Sequence, residues 1–135
     1  MALLAEVGTY LDAATVSTAD LTLGTNLFLG RMPDTPDTCV ALYEEGGAAP
    51  VDVFGADTAP PVEHPSLVVH TRAAAYSTAQ ALSVDVMKLL AKVINEDLSS
   101  VRYYKVEPVQ SPFAFERDQQ DRMLFSNSFM VLKAL

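Results

Sequence analysis

The side chains able to do chemistry are few, and their spacing limits what that chemistry could be. His64 and His70 stand six apart, one in a Pro-flanked stretch and one within Leu67 to Arg72, and no HExxH or cysteine cluster joins them. Metal ligation needs more donors than that at one place. Cys39 could act as a nucleophile if a neighbouring strand brought His70 to it as a base. The simpler reading of a lone cysteine in Thr38-Cys39-Val40-Ala41-Leu42 is a small buried hydrophobe. Glu44-Glu45 and Asp118 with Asp121 are paired carboxylates, but acid–base work needs a pocket that separates their pKa values. Beside loops they read as solvated charge. There is no GxxxxGK[ST] and no GxGxxG, and Gly46-Gly47 leads into Ala48-Ala49-Pro50 instead of a helix. The sequence therefore predicts no catalytic residue, no metal site and no cofactor.

Composition narrows the partners. Nine basic against seventeen acidic residues give a formal charge of −8 over 135 residues, which opposes close approach to phosphate backbones. The length suits one domain spanning 1–135, and a single cysteine forms no internal bridge, as suits a reducing compartment. The apolar runs, such as Leu67-Val68-Val69 and Phe129-Met130-Val131-Leu132, are far below bilayer-spanning length. Met1-Ala2-Leu3-Leu4-Ala5-Glu6 carries no basic region ahead of its apolar residues, which reads against a secretion signal.

Periodicity supplies the elements. Leu3, Leu4, Val7 and Leu11 at helical spacing predict a helix over Ala2 to Ala13, with Glu6, Thr9 and Asp12 on its solvent side. A short strand fits Asn26 to Arg31, and Pro33 and Pro36 make the next stretch a turn. Thr38 to Glu44 predicts an interior strand, apolar on both faces. Glu45-Gly46-Gly47 closes it, and a long loop over about 45–65 follows. Leu67 to Arg72 is the next strand. Ser77 and Gln80 have capping-box spacing ahead of Ala79, Leu82, Val86, Leu89, Leu90 and Val93, so the main helix is expected there. Strands over Val101 to Val109 and Met123 to Lys133 flank a second loop at about 108–122. The expected fold is α/β of the α+β type: a single mixed, mainly antiparallel sheet of about five strands packed with two main helices.

That second loop holds the residues most suited to protein contact. Phe113 and Phe115 sit among polar residues and prolines, where an aromatic ring either folds inward or docks into another chain. Glu116, Arg117, Asp118, Asp121 and Arg122 add mixed charge that could pair across a subunit interface and set its register.

Four features stand together: Pro33-Asp34-Thr35-Pro36-Asp37-Thr38 leading into Cys39 to Tyr43, the Gly46-Gly47 pair, the block His64 to Arg72, and Arg117 to Arg122 entering an aromatic last strand. With them the chain resembles the minor capsid or tail-terminator proteins of long-tailed bacteriophages. Ala73-Ala74-Ala75 stands where a turn glycine is expected, which places an early helical start at the alanines. The resemblance implies a virion protein made in the host cytoplasm and placed at the head-proximal end of the tail. It also implies a homo-oligomer, commonly a hexameric ring, that ends tail-tube growth and joins the tail to the head. Its partners would be the tail-tube protein and a head-completion or connector protein, with no membrane. DNA would pass through without specific binding, and the acids Glu44, Glu45, Asp52, Asp57 and Glu63 are candidates to line that channel and repel phosphate. Another connector role, such as head completion or stopper, a tail-tube role, or a small ligand-binding α/β domain are the alternatives.

Overall fold

A computed structural model describes residues 3–14, 20–51 and 62–135. Among these residues two helices, α1 (Leu3–Ala13) and α2 (Tyr76–Ala91), accompany seven strands. These are β1 (Leu27–Leu29), β2 (Cys39–Val51), β3 (Val62–Ala73), β4 (Ile94–Leu98), β5 (Val101–Pro108), β6 (Phe113–Arg117) and β7 (Met123–Ala134). The sheet order is β1-β2-β3-β7-β5-β4, with β6 paired to β7. Among the described strand pairs β1–β2 is parallel and the others are antiparallel, so the sheet is mixed and mainly antiparallel within an α+β fold.

The expected two helices stand, but the strand count rises from about five to seven. Glu45-Gly46-Gly47 does not end β2. The strand shifts register between Glu45 and Ala48 and again between Ala48 and Val51, opposite β3. Gly47 permits this because a Cβ there would lie 1.7 Å from the His64 carbonyl oxygen. Bulges of this kind bend a strand without ending it. The stretch expected as one loop over 45–65 is thus strand at both flanks, and Asp52 and Asp57 lie outside the described residues. The 108–122 stretch likewise contains β6, and Asn95-Glu96-Asp97 belong to β4.

α2 begins at Tyr76 with Ala75 as its N-cap and no side-chain cap, so Ser77 lies inside the helix and the capping box is not formed. Ala73 is still in β3, and the helix starts after the alanines. The apolar stripe behaves as its spacing predicts: Ala79, Leu82, Val86 and Leu90 are buried, against β3, β5 and β7. α1 touches both β1 and β4, the two ends of the sheet order, so the sheet curls around it. Leu3, Val7 and Leu11 enter the same core as Leu42, Leu67, Leu82, Leu90, Tyr103 and Phe129.

Glu6 departs from its expected solvent position, being 0 % exposed. Its Oε1 accepts a hydrogen bond from the Tyr103 hydroxyl at 2.7 Å and lies 3.3 Å from Lys133 Nζ. Lys133, 4 % exposed, also donates to Glu63 Oε1 at 2.7 Å. Burial, then the bond and charge of Glu6, push the Tyr103 hydroxyl pKa well up, so it remains a proton donor. Removing one member of a buried pair strands the other and costs about 3–5 kcal/mol. Lys133→Met should lower unfolding free energy by about that amount in urea titrations. Lys105→Met, at an exposed pair with Glu107, should change it by less than about 1 kcal/mol.

Candidate assembly surface

Cross-strand register sets out the face of the sheet that α2 does not cover. Ala41, His70, Ser126 and Phe113 lie in one row across β2, β3, β7 and β6. Along it runs a line of rings. Tyr43 and His70 have centroids 4.9 Å apart, and His70 and Phe115 are again 4.9 Å apart. Burial holds the His70 pKa below its ordinary value, against the upward pull of Glu116 and Glu45, so the ring is neutral at neutral pH. All five residues of β6 are exposed, with Phe113 at 45 % and Phe115 at 37 %. Among the described residues β6 pairs along one side, with β7. An unpaired strand edge carrying exposed aromatics is a ready site for another chain.

Two buried arginines brace the end of this face. Arg72 donates through Nη2 to the Pro33 and Pro36 carbonyls, both at 2.7 Å, and through Nε to the Asp37 carbonyl at 3.2 Å. Arg122 donates through Nε to Asp118 Oδ2 at 2.8 Å and through Nη1 to the Asp34 carbonyl and Asp37 Oδ1. Together they fasten the 33–38 turn. Partial desolvation acts upward on the Asp118 carboxyl, but bonds from the Arg122 amide and guanidinium and the Gln120 amide outweigh it and hold its pKa down. Asp118 and Arg122 are thus bonded to each other within the chain. Glu116, Arg117 and Asp121 remain at the surface, where Arg117 Nη1 lies 3.2 Å from Asp121 Oδ1.

The other sequence-derived candidates are dispersed. Glu44 and Glu45 are exposed on β2, whereas Glu63 is taken up by Lys133. Cys39 is 0 % exposed and pairs in register with Arg72, not His70. Burial raises its thiol pKa, Arg72 and Arg122 pull it back and Asp37 adds to the rise. A protonated, inaccessible thiol is a poor nucleophile. Among the described residues no three His, Cys, Asp or Glu side chains gather as a metal site, and no helix is long and apolar enough to cross a membrane. Sequence reading missed the exposed Met130, at 57 %, because β7 reads there as a continuous apolar run.

The described residues thus form a mixed sheet whose β6 edge bears exposed aromatics. Comparison with known proteins identifies the family. Residues 10–133 match the family described as bacteriophage tail terminator protein, and the chain belongs to that family. Its place is accordingly the tail of a phage virion, at head–tail joining. A chain from a solved "Virion of native gene transfer agent (GTA) particle" has the same fold, with a TM-score of 0.66 and 23 % identity over 99 % of this chain and 96 % of that one. No curated protein matches this sequence. Iodoacetamide should label Cys39 in the native protein only at the rate of unfolding, and rapid labelling before urea is added would contradict the burial just described.

Proposed function

We propose that this subunit closes into a homo-oligomeric ring, hexameric by family resemblance, at the head-proximal end of the tail tube. There it stops tube polymerisation and offers the surface to which the head-completion protein joins, without catalysing a reaction. The observation that carries this reading is β6: a strand wholly exposed, paired on one side, with Phe113 and Phe115 at the surface. Ring contacts are heterologous, so each subunit needs two unlike patches, and a free edge with aromatic anchors supplies one. Glu116, Arg117 and Asp121 form its polar rim, and Asp118 with Arg122 keeps the loop in shape. In the same proposal the exposed Glu44 and Glu45 face the channel and repel passing DNA.

Replacing Phe113 and Phe115 with Ser tests the interface. The variant should keep the wild-type circular dichroism spectrum and lose association with tail tubes, followed by light scattering after size exclusion. Loss of the native spectrum would mean that the rings serve the fold instead. A wild-type protein that stays monomeric and never associates with tubes would overturn the ring reading. Electron microscopy of assembled tails checks the channel, since a lumen lined by Lys and Arg would remove the role given to Glu44 and Glu45.

A further inference from the structure

His70 stands on the uncovered face of the sheet with an aromatic ring on either side. Tyr43 of β2 and Phe115 of β6 each have a ring centroid 4.9 Å from that of the imidazole, which is half-buried between them. Its register partners, Ala41 on β2 and Ser126 on β7, are uncharged. Among the described residues the acids that act on it are Glu45 of β2 and Glu116 of β6. Arg72 lies two residues along on the same side of β3, but its guanidinium is taken up by the carbonyls of Pro33, Pro36 and Asp37. Burial, with the charge of Cys39 adding to it, raises the pKa of the Tyr43 hydroxyl against the pull of Arg72, so that ring is neutral.

One of the two rings belongs to a lightly attached strand. β6 has five residues, all exposed, and among the described residues it pairs with β7 alone. Its register shifts between Ala114 and Glu116, so Phe115 falls at the irregularity. A short edge strand with few buried contacts opens more readily than the core strands behind it. Tyr43, by contrast, sits on β2, which pairs with both β1 and β3. Opening of β6 therefore takes Phe115 and Glu116 away from His70 and gives the imidazole to water, while Tyr43 and Glu45 stay. In the packed arrangement burial disfavours the charged ring by more than Glu116 and Glu45 favour it.

We propose that His70 is a proton-operated latch for β6: the neutral ring packs against Phe115 and holds the strand on the sheet, and protonation releases it. The latch is a property of the single chain and does not rest on the ring reading above. A neutral imidazole packs between rings at little cost, whereas an imidazolium needs its charge and both N–H donors met. The open strand, in which His70 is hydrated, binds the proton more tightly than the closed one, so acid favours opening. The closed state is fully favoured above the ordinary histidine range. Its advantage is lost as pH falls through that range towards the lowered midpoint of the packed ring. Release uncovers the β7 edge from Met123 to Ser126 and carries Phe113 and Phe115 away from it.

Amide hydrogen exchange and histidine titration, both followed by NMR on the full chain at constant ionic strength, test the latch across about pH 8 to 5, where an imidazole titrates. Protection of the β6 amides, corrected for the intrinsic pH dependence of exchange, should fall severalfold as His70 takes its proton, while that of Val68 and Val69 in β3 stays level. His70→Phe keeps a ring in the row and cannot be protonated, so its β6 protection should stay constant over the range. Glu116→Gln, at an exposed position, removes an upward pull on His70. The His70 midpoint and the fall in β6 protection should then move together to lower pH, a readout that serves even where His70→Phe does not fold. Constant wild-type protection across the His70 midpoint, an equal fall in His70→Phe, or a midpoint that moves without the protection following would each overturn the latch. So would protection that rises on protonation, the result expected of an imidazolium gripped by the two rings and Glu116.

Discussion

Lys133 ties distant parts of the chain together through one buried ammonium. It stands on the last strand and meets Glu6 from the first helix and Glu63 from β3, while Tyr103 from β5 completes the group. Four elements distant in sequence meet at one ammonium, which also lies 5.5 Å from the Tyr103 ring centroid. Hydrophobic burial brings α1 into the curl of the sheet, but apolar contact is non-directional. The charge network fixes how α1 sits there. Buried polar groups of this kind tolerate few alternative arrangements, because each leaves a charge unmet.

The outer face follows a different rule. There the two arginines bond mainly to backbone carbonyls, so they specify the path of the 33–38 turn more than its side chains. Arg72 stands two residues from His70 on β3, so the turn it fastens lies near one end of the row of Tyr43, His70 and Phe115.

The helices and the interior strands were legible because their periodicities are strong: Leu82, Val86 and Leu90 lie on one face, and Cys39 to Tyr43 alternate within a doubly covered strand. Three features were not. Glu6 looks like a solvent residue because its partners Tyr103 and Lys133 lie 97 and more positions away, and local spacing carries no trace of them. Gly46-Gly47 signals a turn in any local reading, yet Gly47 is demanded by the close approach of the β3 backbone at His64. Phe113-Ala114-Phe115-Glu116-Arg117 is short and lies between prolines and charges, so pairing with β7 decides its conformation, not propensity. On the candidate surface, Phe113 and Phe115 stand out by composition and are exposed, whereas the bonds of Arg122 to Asp34 and Asp37 span 85 and more positions and leave no local trace.

Burying Arg72, Arg122 and Lys133 has a colloidal consequence. Among the described residues three cations are buried against one acid, Glu6, so the charge these residues expose is more negative than their sum. Free copies approaching one another meet mutual repulsion over roughly 8 Å at physiological salt. Random encounters are thereby discouraged, and only a docking geometry that sets opposite charges face to face overcomes the barrier. Dispersal in solution and order on contact arise from the same uneven division of charge between inside and outside.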